Sequence, residues 1–282
     1  MKVWRAETAG FCMGVSLALQ KLDQALLKES GKKQIYTLGP LIHNPQVLAD
    51  YEAKGVFCAK VNQELGANDC VVIRAHGIPC EMETKIRTTG AKVIDATCPK
   101  VKKAQLAIRS ATLDGSTLLL FGESDHPEVR GLISYAQSTA YVITQHDRLE
   151  DLEIDSKTKV ILASQTTQDR EAFTTLCNQA AEIYPNLKIL STICDATRER
   201  QAEARTIASS VDIMVVVGGR TSGNTRRLAD VAALAGIETI LVETALELDP
   251  EKFRQKSCVG LTAGASTPKR LIDEAEQFLA AI

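Results

Sequence analysis

Aromatic residues are scarce in this chain, at 4% of 282 residues. So few rings disfavour the stacking platform that single-stranded nucleic acid requires. An excess of positive charge is also missing. Thirty-three Lys and Arg are set against 35 Asp and Glu, a formal net charge of −2, and no basic surface argues for nucleic acid. No apolar run approaches the roughly 20 residues of a membrane span. The N-terminal MKVWRAETAG has no apolar h-region, so no secretory signal is expected. The expectation is a cytoplasmic protein without a nucleic-acid or membrane partner. Eight cysteines are present, but no C-x-x-C pair occurs among them. In a reducing compartment they read as thiols or metal ligands rather than disulfides. At 45% hydrophobic and 24% charged, the composition is that of an ordinary globular chain with room for about two domains.

What the sequence does contain is a repeat. Short apolar, β-branched runs alternate with helical stretches, the pattern of α/β units with parallel strands. Three cysteines recur at one point of that pattern: Cys12 in AETAGFCMGV, Cys98 in VIDATCPKV and Cys194 in ILSTICDAT. A helical stretch follows each, beginning at Met13, Pro99 and Asp195. Pro99 suits a first helical turn, where a missing N–H costs little. Then come strands ending in glycine (QIYTLG, TLLLFG, IMVVVGG), each opening into a polar loop at His43, His126 or Ser222–Thr225. A further strand (GVFCAK, TAYVIT, IETILVE) precedes a second strand–loop, CVVIRAHG, KVILASQTT or SCVGLTAGAST, whose aligned polar residues are His76, Thr166 and Ser266. AKVIDATC and LKILSTIC close the first two units, and the N-terminal KVWRAETAGFC fits that role in the third. The fold class expected is α/β, a trefoil of three pseudo-equivalent modules with mostly parallel sheets around a central cavity. Its modules would be residues 12–97, 98–193 and 194–282, the last completed by strand 1–11. A single doubly wound sheet with coincidental spacings is the plainer alternative.

Ligands of open parallel sheets bind beyond the carboxyl ends of the strands, where all these cysteines and loops lie. Each cysteine also precedes a helix, whose unpaired N–H groups and dipole stabilise a thiolate, the form that binds iron. A cuboidal cluster has four irons, so three cysteines leave one open for chemistry. His43, His76 and His126 can donate hydrogen bonds to an anion, as can Ser222, Asn224, Thr225 and Ser266. Gly218, Gly219, Gly223 and Gly264 permit close backbone approach. Only Glu128 adds a carboxyl to these loops. In a partly dry pocket its pKa rises, which suits a proton donor.

Each feature has a plainer reading. Cys58, Cys70, Cys177 and Cys258 lie inside strand or helix patterns and read as small buried hydrophobes. Cys80 follows the AHG loop without a counterpart in the other modules and is only a weak candidate for a fourth ligand. His146 reads as solvated. Zinc competes with iron at the three cysteines, although structural zinc ligands usually come in close pairs, which are missing here.

The stretches AGFCMGV, GPLIHNPQV, RAHG, DATCP, HPEVRG, SQTT, STICDATRERQ, the NT of TSGNT, and TAGAST stand in an order that resembles the LytB-type 4-hydroxy-3-methylbut-2-enyl diphosphate reductases. The resemblance implies a 4Fe–4S cluster held by Cys12, Cys98 and Cys194, its open apical iron facing the substrate's hydroxyl. It implies diphosphate binding by His43, His76, Ser222, Asn224 and Ser266, with Gly223 in the same loop. Glu128 is implied as the proton-delivery residue, Thr166 as the group that positions it, and His126 as a further site histidine. The implied reaction is a two-electron reductive dehydroxylation giving isopentenyl and dimethylallyl diphosphates. The implied electron source is a one-electron donor such as ferredoxin or flavodoxin, and a monomer is expected.

Two departures from the family pattern carry expectations. Ser222-Gly223-Asn224 lacks one of two usual serines, so binding weakens by about one neutral hydrogen bond, 0.5–1.5 kcal/mol. LISYA after HPEVRG is expected to reshape the wall near Glu128. They motivate a second hypothesis, a paralogue acting on a different anionic substrate. A third is a non-catalytic metal-binding module.

Overall fold

The computed structural model describes residues 1–60 and 62–282. In chain order, β1 (Lys2–Arg5) precedes α1 (Met13–Glu29). Then follow β2 (Gln34–Thr37), α2 (Pro45–Glu52), β3 (Val56–Cys58), β4 (Asp69–Ile73), α3 (Cys80–Thr88) and β5 (Lys92–Asp95). The next run is α4 (Pro99–Ala111), β6 (Thr117–Phe121), α5 (Pro127–Ile133), β7 (Ala140–Ile143), β8 (Val160–Ser164), α6 (Arg170–Ile183) and β9 (Leu187–Ile189). The last is α7 (Asp195–Ala208), β10 (Ile213–Val217), α8 (Gly223–Ala233), β11 (Glu238–Val242), β12 (Cys258–Ala263) and α9 (Lys269–Ala281).

The strands form three four-stranded sheets with one winding: β3-β2-β4-β5, β7-β6-β8-β9 and β11-β10-β12-β1. Every pairing is parallel. The N-terminal strand joins the last sheet, with Lys2 to Arg5 in register with Cys258 to Leu261. The class is α/β. The described residues divide into two compact units. One holds Met1–Ser16, Ile42–Asp50 and Asp195–Ile282, hence the sheet containing β1. The other holds Leu17–Leu41 and Tyr51–Cys194, hence the other two sheets.

The central strands show why these segments form parallel sheets. β6 (TLLLF), β8 (VILAS) and β10 (IMVVV) are buried at every position, as strands covered on both faces must be. Alternate side chains reach opposite layers. Leu119, Phe121, Val160 and Leu162 pack with Phe173, Leu176 and Ala180 of α6. Leu118, Leu120, Ile161 and Ala163 pack with Ala104 and Ile108 of α4 and Val129 and Leu132 of α5. In the other unit, Val215, Val217, Leu261 and Ala263 meet Leu271, Ile272, Ala275 and Leu279 of α9. Val216 meets Ala204 of α7 and Leu228 and Val231 of α8. Edge strands β1, β3 and β9 are partly exposed.

Candidate active site

Each sheet carries a tight turn at the carboxyl end of its third strand in winding order. The turns are Arg74–Gly77, Gln165–Gln168 and Gly264–Thr267. In each, the last N–H donates to the first carbonyl, at 2.9, 3.2 and 3.0 Å. The second carbonyl of each turn accepts the backbone N–H of a cysteine. Cys98 donates to Ala75 (2.9 Å), Cys194 to Thr166 (3.0 Å) and Cys12 to Ala265 (3.1 Å). The strand leading to each cysteine neighbours the strand leading to each turn, so these bonds prolong the parallel ladder beyond the strand ends. The three cysteines are thereby fixed by one local geometry. All three are half-buried, and none is in a disulfide among the described residues. The Cys12 Sγ also accepts the Val15 N–H at 3.5 Å.

Those bonds correct one sequence alignment. Matching by polar residue pairs Thr166 with His76 and Ser266, but the turns pair Thr167 with them and Thr166 with Ala75 and Ala265. Thr166 therefore has a place of its own in the second sheet. Its N–H donates to Oε1 of Glu128 at 2.6 Å and its hydroxyl to Oε2 at 3.0 Å. Its carbonyl receives Cys194. One residue ties the acid to a cysteine backbone. Glu128 is 1% exposed. Burial pushes its carboxyl up to about 7, against the lowering effect of the two Thr166 bonds.

The second alignment also moves by one residue. The caps of α2, α5 and α8 are Asn44, His126 and Ser222. The Asn44 Oδ1 accepts from Val47 N–H (3.0 Å), the His126 Nδ1 from Glu128 N–H (3.1 Å) and the Ser222 Oγ from Thr225 N–H (3.3 Å). His43 stands one residue before its cap, so Asn44 is the counterpart of His126. Asn44 is wholly buried, and its signal was the Asn-Pro pair, a cap before a proline at the first helical position. The second helical position is Gln46, Glu128 or Asn224: two amides and one acid. An accepting Nδ1 carries no proton, which leaves the Nε2–H as the ring's donor. Its ring meets His76 edge-on, with centroids 5.4 Å apart.

In the unit holding β1, Ser222, Gly223, Asn224, Ser266, His43 and Cys12 come together from three chain segments. The Ser266 hydroxyl donates to the His43 carbonyl at 3.0 Å. A Cβ at Gly219 would lie 2.5 Å from that same carbonyl, and one at Gly264 would lie 2.0 Å from the Thr225 Oγ1; only glycine allows these approaches. Asn224 is 6% exposed, and its Nδ2 has no hydrogen-bond partner among the described residues. A buried amide donor left without a partner is costly, and an anion would satisfy it. The first-turn N–H groups of α8 favour the same charge. Helix α7 secures the loop before Cys12. Arg200 donates to the Gly10 carbonyl at 2.7 Å, and Glu203 accepts the Glu7 and Thr8 N–H groups at 2.7 and 3.0 Å. In sequence both residues are simply part of a helical pattern, and only the fold brings them to that loop.

The other unit holds Cys98, Cys194, His76, His126, Glu128 and Thr166. There the LISYA segment departs from expectation. Leu132 joins the core. The Ser134 hydroxyl donates to Gly131 and accepts the Cys80 N–H. The Tyr135 hydroxyl bonds Lys102 and Glu83, each at 3.2 Å. These polar groups face α3 and α4, and neither bonds Glu128. Among the remaining cysteines, Cys70 is buried as expected, but Cys58 is exposed because it ends an edge strand. Cys80 opens α3 with its N–H held by Ser134.

The LytB protein family model matches residues 3–280. The 4-hydroxy-3-methylbut-2-enyl diphosphate reductase of Desulfovibrio desulfuricans is 62% identical, with both chains covered in full. The protein of that name from Aquifex aeolicus is 42% identical over 95% of this chain and 92% of its own. A solved structure of (E)-4-hydroxy-3-methyl-but-2-enyl diphosphate reductase, described as the terminal enzyme of the non-mevalonate pathway, is 39% identical. It covers both chains completely with a TM-score of 0.73. The reductase structure from Plasmodium falciparum shares the fold, with a TM-score of 0.92 at 24% identity over 99% of this chain and 87% of that one. With three identically wound sheets, three identically pinned cysteines and a family match spanning nearly every residue, the chain belongs to the LytB protein family.

Proposed function

We propose that this chain is an iron–sulfur reductase that removes the hydroxyl of 4-hydroxy-3-methylbut-2-enyl diphosphate. Two electrons and two protons convert the allylic alcohol to isopentenyl or dimethylallyl diphosphate and water. The C–O bond breaks, and a C–H bond forms. The observation that carries this reading is the Glu128–Thr166–Cys194 chain of bonds, which links a buried acid, half-protonated near neutrality, to a cysteine backbone.

The donor set fits a 4Fe–4S cluster. Cys12, Cys98 and Cys194 are half-buried thiols with equivalent backbone anchors, and thiolate is what such clusters take. We assign these three as its ligands, which leaves one iron without a protein ligand. When bound, the cluster supplies electrons singly and a Lewis-acidic iron. The remaining work falls to this chain's own groups. Glu128 holds a proton on its carboxyl, and Thr166 fixes both oxygens so that the proton is delivered from one position. His126 caps α5 and so orients the helix start carrying Glu128. Diphosphate recognition is assigned to His43, Ser222, Gly223, Asn224 and Ser266, with His76 in the same role. Anchoring the diphosphate would orient the hydroxyl end. Gly223 gives up a hydroxyl but keeps its N–H at a helix start, where anions are favoured. The chain acts as a cytoplasmic monomer supplied by a one-electron carrier such as ferredoxin or flavodoxin. Among the described residues no helix is long and apolar enough to cross a membrane.

Anaerobically purified protein should contain about four irons per chain. It should release both isoprenoid diphosphates when given the hydroxylated substrate and reduced methyl viologen. A cluster-loaded preparation that leaves this substrate intact but reduces another diphosphate would point to the paralogue. Zinc without iron or sulfide would point to a non-catalytic module.

A further inference from the structure

The three helix starts share one cap arrangement, and at α2 the cap does not use up its side chain. Asn44, His126 and Ser222 each accept a first-turn N–H. Asn44 does so with Oδ1 alone, 3.0 Å from the Val47 nitrogen. That bond fixes which end of the amide is oxygen and turns Nδ2 away from the capped N–H. Asn44 is 0% exposed, and its buried Nδ2 has no hydrogen-bond partner among the described residues. Capping needs only the oxygen, so serine or aspartate would serve α2 equally well. An amide brings a second group, a buried donor that the helix does not use and that is costly when left unmet.

Asn44 stands beside the start of α8, within the unit that holds β1. A Cβ at Gly219 would lie 2.5 Å from the His43 carbonyl oxygen and 3.5 Å from the Asn44 Cα. The Gly219 carbonyl accepts the N–H of Ser222, the α8 cap, at 3.0 Å. The Ser266 hydroxyl donates to that same His43 carbonyl. The His43–Asn44 peptide is thereby set against the turns that carry Ser222 and Ser266. Asn224, two residues beyond the α8 cap, is 6% exposed and also has an unpartnered Nδ2. Two adjoining helix starts thus each hold a buried amide donor in want of an acceptor. Both starts favour an anion through their own N–H groups, and a diphosphate has oxygens enough for both amides. The Gln46 Oε1, at the second position of α2, is buried without a partner as well; a bridging water or a protonated phosphate oxygen would meet it.

We propose that Asn44 is a further diphosphate-binding residue, its Nδ2 donating to a phosphate oxygen from the α2 start as Asn224 does from the α8 start. This deepens the reductase reading and rests on it for the identity of the substrate. Asn44 then has two tasks: Oδ1 holds the helix, and Nδ2 holds the anion.

The test titrates inorganic diphosphate, which needs neither the substrate's hydroxyl nor electrons, into the cluster-loaded protein. Turnover of the hydroxylated substrate with reduced methyl viologen is measured in parallel. Asn44→Ser keeps an oxygen cap and loses the long amide donor. Asn44→Asp keeps the cap and puts an acceptor where the donor was. The Kd for diphosphate should rise about 10–100-fold in Asn44→Ser, the range for a hydrogen bond to a charged group, and further in Asn44→Asp. KM should rise with it, while kcat and iron content stay within about threefold. Hydrogen exchange at the Val47 N–H should remain slow in both, because the cap is kept. A residue that only caps α2 would leave Kd within about twofold of the parent wherever Val47 stays protected, and that result overturns the proposal. A crystal structure of the parent with inorganic diphosphate gives a check that needs no variant. A phosphate oxygen should lie within about 3.2 Å of Nδ2; an Nδ2 bonded to anything else overturns the proposal, as does a parent that binds no diphosphate. Absence of viologen-driven turnover in the parent would instead sink the reductase reading, while the titration and the crystal contact still judge Asn44.

Discussion

Two helix starts occupy the same position in their sheets and differ in chemistry. Helix α5 begins His126-Pro127-Glu128, and α8 begins Ser222-Gly223-Asn224. In both, the cap side chain accepts a backbone N–H, and the second helical residue is almost fully buried. One is an acid, the other an amide; Gln46 makes the third an amide too. A helix N-terminus favours a carboxylate by about 0.3–1 kcal/mol, and Thr166 adds two bonds that also favour the charged form. Burial nevertheless wins and brings Glu128 to about 7, since desolvation can move a carboxyl by several units. The comparison teaches that the repeat supplies three similar helix starts, and that burying an acid in just one of them raises its pKa enough to hold a proton near neutrality.

The largest expected effect comes from erasing the difference. Glu128→Gln makes position 128 an amide like its two counterparts and should cost about 10²–10⁴-fold in turnover, with iron content retained. Full activity in that variant would refute the assignment. The same pair of proteins reports on linkage. The folded carboxyl titrates near 7, above its ordinary 4.5. Its stabilising contribution is complete below pH 4.5 and is lost as pH rises to 7. Relative to the Gln variant, the parent should lose roughly 3 kcal/mol across that window, as read by chemical denaturation. A difference independent of pH would show that the carboxyl is not raised.

Moving the acid to the other helix start should fail as catalysis and harm binding. Asn224→Asp replaces a buried donor by a negative charge that repels diphosphate. KM is expected to rise about 10–100-fold, from the loss of a hydrogen bond to a charged group plus repulsion, with kcat little changed. An unchanged KM would remove Asn224 from the diphosphate site. Thr166→Val removes one of the two bonds that hold Glu128 and favour its charged form. It should lower turnover about tenfold near neutrality, about the worth of one such bond, and shift the pH profile upward; Thr166→Ser should restore both. A tenfold loss with an unmoved pH profile would mean that Thr166 acts on packing alone. The smallest effect is expected from Gly223→Ser, which returns a hydroxyl to the α8 start. KM should fall roughly 2–10-fold, the value of one neutral hydrogen bond. A rise would show that the glycine's close approach matters more than the missing hydroxyl.

Much of the fold was legible because short apolar runs such as IMVVV and TLLLF, each followed by glycine, suit strands buried on both faces. The helices after Cys12, Cys98 and Cys194 were legible from their periodicity and from Pro99. What misled was aligning loops by polar side chain. Thr166 and His43 each shifted by one residue once backbone bonds fixed the turns and caps. The LISYA segment lies a few residues from Glu128 in sequence, but the α5 exit carries its Tyr135 hydroxyl to Lys102 and Glu83. Gln46 was overlooked, since nothing in its own segment marks it as the counterpart of Glu128.

By itself the sequence determined the order of strands and helices, the three recurring cysteines and an acid, Glu128, two residues beyond His126. These follow from local periodicity and from residue identity. Only the tertiary structure decided which backbone carbonyl each cysteine bonds, that Thr166 bridges Glu128 and Cys194, and that burial rather than the helix dipole sets the acid's proton. Those outcomes depend on groups far apart in the chain, brought together by packed parallel sheets, and on how much water the packing leaves around them.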